Sequence, residues 1–317
     1  MPSRAERLRD ESAFDRWHDP IGAAPGGRSA EDWSHVRRLV VGCGYLGERV
    51  ARSWRDAGDE VYATTRGDRA DALSRAGLRP LTMDVTQGPA LAGALPAVDT
   101  VVFAVGRARR SGSTMFDIHV AGLHSVLDAL PEATGRVIYV SSTGVYAQDA
   151  GEWVDEESVC EPTREGGKAC LSGERLLFAH ARGRDGLVLR LAGLYGAGRV
   201  PRSADVTEGR SIAGSRDAYL NLIHVEDAVR AVVAAAASRP AISRTYVVSD
   251  GHPTTRGEYV QLLATRLGVA PPSFEGGAGV GKRVRNARAV HQLGLRLTYP
   301  SYREGLDTSQ EKAGRVS

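Results

Sequence analysis

The sequence predicts an α/β fold, a doubly wound parallel sheet with a small interleaved substrate lobe toward the C-terminus. Two observations predict it. From Arg37 onward, short apolar runs alternate with amphipathic segments of helical period, and a glycine-rich turn joins the first such pair. Apolar strands separated by helices form a parallel sheet covered on both faces, and right-handed crossovers wind it. The 317 residues, 42% of them hydrophobic, suffice for one large domain with a substantial core.

The first predicted strand, residues 39–41, runs into a Gly-x-Gly-x-x-Gly turn that opens the first helix. The turn carries Gly42, Gly44 and Gly47, with Tyr45 and Leu46 before the last glycine. In a dinucleotide-binding turn, the first glycine permits the tight bend, the second lets the backbone approach a pyrophosphate, and the third lets helix and strand pack closely. The pyrophosphate then lies on unpaired N–H groups at the helix N-terminus. The turn predicts a dinucleotide site; the alternative is a glycine-rich turn without a ligand.

The remaining elements follow from the same periodicities. Further strands are predicted at 60–64, 78–83, 100–105, 136–141, 187–191 and 245–248, and helices at 46–57, 69–76, 115–130, 168–181, 225–236 and 255–267. Residues 1–35 are rich in Arg, Gly and Ala and are predicted to be a disordered extension. Residues 36–250 form the predicted dinucleotide-binding domain, and 251–310 form the substrate-side lobe with a contribution from 194–223. Residues 311–317 are a tail.

The end of the second predicted strand indicates which dinucleotide is bound. An NAD site usually has Asp or Glu there to bind the ribose 2′-hydroxyl, whereas this chain has Thr65 and Arg66. A guanidinium pairs with a 2′-phosphate through its planar fork. The sequence therefore favours NADP over NAD, unless Arg66 is a solvated loop residue. Asp84, after the third strand, is placed either to meet the adenine amino group or to cap the next turn.

Composition narrows the class of partner to a small molecule. A net charge of +3 is too small to predict a nucleic-acid partner. There is no apolar run of the length needed to span a membrane and no apolar segment typical of a signal peptide. The three cysteines lack the spacing of metal ligands, which predicts a reduced cytoplasm and no metal. A set of cations in the predicted lobe suits an anionic substrate, although such charges are equally typical of a solvated surface. These are Arg199, Arg202, Arg210, Arg216, Lys282, Arg283, Arg285 and Arg288.

Three motifs occur in order: the glycine turn, Val-Ser-Ser-Thr-Gly-Val-Tyr at 140–146 and Ile-His-Val-Glu-Asp-Ala at 223–228. With them, the chain resembles the extended short-chain dehydrogenase/reductase family, which has the Rossmann fold and includes NAD-dependent epimerase/dehydratases. The resemblance covers residues 37–306. The glycine turn, Gly281–Val284 and residues 299–306 are similar to the atypical, YeeZ-like branch of that family.

The resemblance implies which residues surround the nicotinamide. By the resemblance, Ala104, Val105 and Gly106 line the cofactor after the fourth strand. Ser141 and Ser142 lie beside the nicotinamide, with Ser142 at the position of the family's catalytic serine. Gly193 and Tyr195 cover the nicotinamide from the other side.

The chain departs from the family at the proton-transfer pair. Family enzymes use Tyr-x-x-x-Lys on the helix after the serine, where a neighbouring ammonium lowers the pKa of the phenol so that it accepts a proton. Aligning Glu174 with the family's glutamate puts Gly166 at the tyrosine position and Cys170 at the lysine position. By the resemblance, Tyr146 and Tyr195 stand near the nicotinamide. Tyr146 is therefore the candidate catalytic acid/base, with simple packing as the alternative.

The sequence thus predicts an NADP-binding oxidoreductase or epimerase-like enzyme that acts on a small carbonyl or sugar compound. The alternative is a non-catalytic NADP-binding sensor or regulatory module, which the missing Tyr-x-x-x-Lys supports. Members of the family often pair through two helices that flank the sheet, here 115–130 and 168–181. A homodimer is therefore expected, with a monomer as the alternative.

Overall fold

The computed structural model describes residues 36–91, 93–106, 112–238 and 244–311. These residues belong to one compact unit. The predicted extension of residues 1–35 and nearly all of the predicted tail lie outside the described residues, and the division of the rest at residue 250 stays a prediction. Within the described ranges, no helix is both long and apolar enough to cross a membrane.

The strands of the described residues are short. In chain order they are β1 (Arg37–Val41), β2 (Glu60–Thr65), β3 (Arg79–Thr82), β4 (Thr100–Phe103), β5 (Arg136–Ser142), β6 (Ala150–Val154), β7 (Leu187–Leu191), β8 (Gly193–Tyr195), β9 (Tyr219–Leu220), β10 (Leu222–His224), β11 (Thr245–Val248), β12 (Thr254–Thr255) and β13 (Gly281–Val284). Seven of them form one sheet in the order β11-β7-β5-β4-β1-β2-β3. All its neighbouring strands are parallel. This confirms the predicted parallel sheet.

The helices of the described residues follow the strands in alternation. They are α1 (Gly47–Asp56), α2 (Ala70–Arg75), α3 (Leu123–Ala129), α4 (Glu165–Ala179), α5 (Ser203–Thr207), α6 (Val225–Ala237), α7 (Arg256–Leu267), α8 (Ala287–Gln292) and α9 (Tyr302–Glu311). A π-helix, Asp117–Gly122, leads directly into α3. Together they span nearly all of the predicted helix 115–130.

Alternate residues of the sheet face two separate apolar clusters. Val40, Val102 and Leu189 pack with Val50 and Trp54 of α1 on one face. On the other face, the second cluster contains apolar residues of β1, β4 and β5 together with residues of α3 and α4. Since helices cover both faces, the sheet is doubly wound. The order reverses at β1, so that a crevice opens at the carboxyl ends of β1 and β4.

A third apolar cluster lies in the chain segments predicted to form the substrate lobe. It contains Tyr195, Val206, Tyr259, Leu263 and Tyr302, contributed by β8, α5, α7 and α9. The segment 194–223 therefore packs with residues beyond 250, as the sequence predicts for the interleaved lobe.

Helix α4 begins three residues earlier than predicted because its glycines are needed for close packing. A Cβ on Gly167 would lie 2.2 Å from the carbonyl oxygen of Gly144. A Cβ on Gly173 would lie 2.5 Å from the hydroxyl of Tyr139. Glycine costs a helix about 1 kcal/mol relative to alanine, but here it lets α4 approach β5 and the turn that follows it.

Candidate functional site: a dinucleotide cavity at the switch point

The glycine turn after β1 has the geometry that each glycine predicts. Gly42 has a φ of +93°, and a Cβ there would lie 2.7 Å from both N and Cα of Val105. A Cβ on Gly47 would lie 2.2 Å from the carbonyl oxygen of Gly42. Gly44 differs, because among the described residues beyond its own chain neighbours no atom lies within 4 Å of its ideal Cβ position. Its bare backbone therefore faces open space that a bound group can fill.

A cavity of about 690 Å³ extends from this turn, within the range usual for ligand sites. The structure places most of the predicted cofactor residues in its lining: Gly42, Gly44, Tyr45, Leu46, Thr65, Arg66, Asp84, Ala104, Val105, Gly106 and Ser141, together with Ser142. Gly47, Gly193, Tyr195 and Tyr146 do not line it. No side chain caps the N-terminus of α1 beside the turn. An open glycine and an uncapped helix start fit the pyrophosphate of a dinucleotide.

At the end of β2, Arg66 is exposed and lines the cavity. Within the described part of the chain it forms no ion pair, whereas Arg69 nearby pairs with Glu48 and donates to the carbonyl of Cys43. The structure adds a carboxylate that sequence reasoning missed, since Asp68 also lines this end of the cavity. It was missed because it stands three residues beyond the end of β2. Its Oδ1 accepts a hydrogen bond of 3.3 Å from the hydroxyl of Thr65. Among the described residues, the β2 end of the cavity therefore has the guanidinium of Arg66, which forms no ion pair, and the carboxylate of Asp68, which is hydrogen-bonded to Thr65.

Asp84 has the capping geometry that the sequence left as one alternative. Its Oδ1 accepts hydrogen bonds from N and Oγ1 of Thr86, at 2.9 and 2.7 Å. Partial burial raises the pKa of Asp84, but these hydrogen bonds and the charge of Arg66 outweigh it and lower the pKa below its usual value. The carboxylate lines the cavity, and its contact with adenine stays a prediction.

The serines after β5 have different partners. Ser142 lines the cavity, and its Oγ accepts a hydrogen bond of 3.0 Å from the N–H of Gly144. Ser141 donates to Oε1 of Glu174 at 2.5 Å. Glu174 in turn pairs with Arg190, whose Nε and Nη2 donate to the carboxylate at 3.0 and 2.7 Å. Both charged side chains are buried, so the cavity wall is held by an ion pair behind it.

The two candidate tyrosines lie outside the cavity lining. Tyr146 is 3% exposed, and its hydroxyl accepts a hydrogen bond of 2.8 Å from Arg190. Burial raises the pKa of Tyr146, which opposes proton transfer near neutrality. Tyr195 is fully buried and donates to the carbonyl oxygen of Ser301 at 3.2 Å. The apolar cores around β8 and around Tyr146 hold both phenols, so the structure brings neither to the serine end of the cavity.

The helix position that resembles the family's lysine site is occupied by a thiol in the cavity wall. Cys170 is buried and lines the cavity, and burial raises its pKa to about 11. Gly166, at the tyrosine position, has room for a side chain, since the nearest atom to an ideal Cβ is Cε of Met115 at 3.7 Å. Met115 also lines the cavity. A thioether thus borders the place where the family has a phenol.

Sequence reasoning missed His119, which lines the same end of the cavity from the π-helix. Its Nδ1 lies 2.7 Å from the hydroxyl of Tyr139 on β5. Burial lowers the pKa of His119 to about 4, so that the imidazole is neutral at physiological pH. The only signal in the sequence was its place on the helix after the fourth strand, at the edge of the sheet where the glycine turn also lies.

Comparison with known proteins agrees with this fold. A comparison with curated proteins finds no significant match. Among solved structures, the chain is similar to a putative NAD-dependent epimerase/dehydratase from Methylobacillus flagellatus, with 29% identity, a TM-score of 0.71 and coverage of 89% of this chain and 100% of that one. It is also similar to a conserved protein of unknown function from Silicibacter pomeroyi, with 27% identity, a TM-score of 0.71 and coverage of 87% and 99%.

A more distant structure, UDP-glucuronic acid 4-epimerase from Bacillus cereus in complex with NAD, shares the fold at 17% identity and a TM-score of 0.74, with coverage of 89% of this chain and 99% of that one. The NAD dependent epimerase/dehydratase family matches residues 38–249. This span runs from β1 to the end of β11 and includes the glycine turn, the serine pair and the described lining of the cavity. The chain therefore belongs to the NAD-dependent epimerase/dehydratase family, a family of enzymes that use a nicotinamide cofactor.

Proposed function

We propose that this protein is an NADP-binding oxidoreductase or epimerase-like enzyme that acts on a small carbonyl or sugar compound. One observation carries the proposal: a single cavity joins Arg66 at one end to Ser142, Cys170 and His119 at the other. A dinucleotide with its pyrophosphate on the glycine turn lies with its adenosine toward β2 and its nicotinamide toward β5. A bound nicotinamide would supply hydride exchange at the end of the cavity that Ser142 lines.

Solved relatives of the fold support the substrate class. One, MoeE5, was solved in complex with UDP-glucose and NAD, at 24% identity and a TM-score of 0.73. The epimerase from Bacillus cereus was also solved with UDP-glucuronic acid and NAD. A nucleotide sugar is a small anionic compound with hydroxyl groups that can be oxidised, and this is the class we propose first for this chain.

The charges of the lobe give partial support for an anionic substrate. Two of the lobe arginines are neutralised locally, since Arg210 pairs with Asp205 and Arg288 pairs with Glu157, and a third, Arg283, lies over the ring of Trp153. A second set of cations is different, since within the described residues Arg164, Arg256 and Lys282 form no ion pair. Burial and then the charge of Arg164 lower the pKa of Lys282. The pKa of Arg256 is also lowered, first by burial and then by the charges of Arg202 and Arg164. Unneutralised cations that repel one another favour an anion between them.

A substrate screen tests the proposed reaction. The purified protein is offered NADPH with aldehydes and ketones, and NADP⁺ with nucleotide sugars and neutral sugars, and the nicotinamide absorbance at 340 nm is followed. We expect turnover with at least one compound and faster turnover with the anionic set. Tight NADPH binding without turnover on any compound would instead support the non-catalytic sensor.

Arg66→Asp tests the choice of dinucleotide. The change removes the only unpaired guanidinium of the described residues at this end of the cavity and adds a carboxylate that repels a 2′-phosphate. A lost charge-assisted hydrogen bond costs about 1.5–3 kcal/mol, and each 1.4 kcal/mol is about tenfold in affinity. We expect the Kd for NADPH to rise by roughly ten- to a hundredfold and the Kd for NADH to stay equal or fall, both measured by calorimetry.

Arg75→Asp is the matched control for that substitution. Arg75 is exposed on α2 and does not line the cavity, so the same change of charge should leave both Kd values within about twofold. Wild-type protein that binds NADH as tightly as NADPH, or an Arg66→Asp protein with unchanged NADPH affinity, would show that Arg66 is a solvated loop residue and would overturn the preference for NADP.

Two further parts of the proposal concern assembly and compartment. We propose a homodimer through the helices that flank one face of the sheet, the π-helix with α3 and the neighbouring α4. Light scattering that gives the mass of one chain would exclude it. We also propose a cytoplasmic location, because Cys43, Cys160 and Cys170 are free thiols.

A further inference from the structure

A row of polar side chains lies behind the end of the cavity that Ser141 and Ser142 line, and the proposed function assigns no role to it. His119 meets the hydroxyl of Tyr139 at 2.7 Å. The thiol of Cys170 interacts electrostatically with the same hydroxyl and with the hydroxyl of Ser141, which itself donates to Oε1 of Glu174 at 2.5 Å. The row therefore crosses from the π-helix through β5 to α4. It reaches the cavity at three points, His119, Cys170 and Ser141.

Few groups at this end can exchange a proton with a substrate. The thiol of Cys170 is a poor acceptor, because burial and the charge of Glu174 raise its pKa. Tyr45 lines the cavity at the glycine turn, but its hydroxyl donates to the carbonyl of Ala197 at 3.2 Å. Neither Tyr146 nor Tyr195 lines the cavity. His119 has Nδ1 engaged by Tyr139, and Nε2 forms no hydrogen bond within the described residues.

Resting on the proposed function, we propose that Nε2 of His119 is the proton acceptor and donor for the substrate oxygen beside the nicotinamide. Tyr139 is its positioning residue. A phenol O–H is a stronger donor than a thiol S–H, so Tyr139 donates to Sγ of Cys170 and its oxygen accepts from Nδ1–H of His119. That arrangement fixes the tautomer and leaves the lone pair of Nε2 free to accept a proton.

Protons, electrons and charge all balance when His119 accepts the proton of the substrate alcohol. In the oxidative direction, the O–H bond of the substrate alcohol breaks and its proton forms an N–H bond at Nε2. The C–H bond breaks, its hydrogen leaves with the electron pair to the oxidised nicotinamide dinucleotide, and the C–O bond becomes C=O. The imidazolium forms as the positive charge of the nicotinamide ring is lost, so the net charge at this end of the cavity is unchanged. The reductive direction reverses each transfer.

The surroundings of His119 favour the neutral base over the cation. Tyr139 faces it from β5 and Cys170 lies behind that phenol on α4. The charge of Glu174 reaches both of those groups and raises their pKa values. Burial alone accounts for the lowered pKa of the imidazole. The catalytic rate in the oxidative direction should therefore rise with pH through the acid range and reach a plateau near neutrality.

The first test is kinetic. His119→Asn removes the acceptor while it keeps a polar side chain, and general base catalysis of this kind contributes about 10²–10⁴-fold. We expect kcat to fall by that factor, the acid limb of the pH profile to disappear, and the Kd for NADPH to stay within about twofold. His124→Asn is the matched control, because His124 is exposed on α3 and does not line the cavity; it should leave kcat and the profile unchanged. A His119→Asn protein with kcat and pH profile of the wild type would overturn the proposal.

The second test needs no turnover. Nitrogen-15 NMR of the histidine side chains in the full-length protein reports the tautomer and titration of each ring. We expect His119 to be neutral at pH 7 with its proton on Nδ1. Addition of NADP⁺ should shift its Nε2 signal and leave that of His124 in place. Tyr139→Phe should release the Nδ1 proton and mix the tautomers.

The outcomes of the two tests separate the two proposals. A proton on Nε2, or an Nε2 signal that NADP⁺ does not move although it binds, would overturn the role of His119 and leave the proposed function standing. Absence of any dinucleotide binding by calorimetry would overturn the proposed function, and the role of His119 with it.

Discussion

Arg190→Met is expected to lower the free energy of unfolding by about 3–5 kcal/mol, because it leaves the buried carboxylate of Glu174 without its partner. Glu174 is 3% exposed and Arg190 is 7% exposed. The pair is held by three charge-assisted hydrogen bonds of 3.0, 3.3 and 2.7 Å. Methionine fills much of the volume of the arginine stem but supplies no donor. Urea denaturation followed by circular dichroism measures the loss.

Two comparisons separate the buried charge from other effects of that substitution. Arg210→Met breaks an exposed pair with Asp205, and exposed pairs contribute about 0–1 kcal/mol. The double variant Glu174→Leu with Arg190→Met removes both charges, and apolar replacement of a buried pair is often close to neutral. We expect the double variant to recover most of the stability lost in the single one. Equal losses for Arg190→Met and Arg210→Met would contradict the interpretation that the buried pair is critical.

The ion pair between Arg190 and Glu174 also shows why part of the site could not be predicted from the sequence. The strand at 187–191 was predicted from its apolar run, and the arginine within that run was the visible anomaly. Its partner Glu174 stands 16 positions earlier on a helix. No local period joins a residue of a strand to a residue of the preceding helix, so only the packing of α4 on β5 reveals the pair.

The predicted glycines of the turn depend on local geometry. Gly42 and Gly47 are required by contacts within a few residues of the turn or with the neighbouring strand end, and the motif spacing carries that information. His119 lines the cavity from the π-helix that precedes α3, and Met115 lines it from just before that π-helix. An apolar period fits an α-helix and this π-helix equally well over one turn, so the sequence could not predict which side chains point to the cavity.

The sequence predicts that the lobe contains many cations, but it does not predict which of them have acidic partners. The sequence showed a set of arginines, and the structure shows that Arg210 and Arg288 have acidic partners nearby. Arg164 was outside the predicted set, yet its charge acts on both Lys282 and Arg256. The partner of Arg210 is five positions away and that of Arg288 is 131 positions away, and spacing alone does not show which of these contacts forms.

Gly44→Ala is expected to weaken NADPH binding by roughly ten- to a hundredfold while leaving the fold intact. Its ideal Cβ has no protein atom within 4 Å, so the methyl group meets nothing in the unliganded protein. The same methyl group lies where the backbone approaches the pyrophosphate. Losing one charge-assisted hydrogen bond to that group costs about 1.5–3 kcal/mol. Calorimetric titration with NADPH measures the affinity, and urea denaturation should give a stability within about 0.5 kcal/mol of the wild type.

Gly42→Ala, two positions earlier in the same turn, is the contrasting substitution. A residue with a side chain at a φ of +93° is strained by about 1–3 kcal/mol. The methyl group would also overlap the backbone of Val105, 2.7 Å away, at a further cost of about 1–3 kcal/mol. We therefore expect Gly42→Ala to lose stability before any ligand is added, whereas Gly44→Ala loses only affinity. If Gly44→Ala bound NADPH as tightly as the wild type, the pyrophosphate would not lie on this turn, and the open face of Gly44 would have to be explained without a dinucleotide.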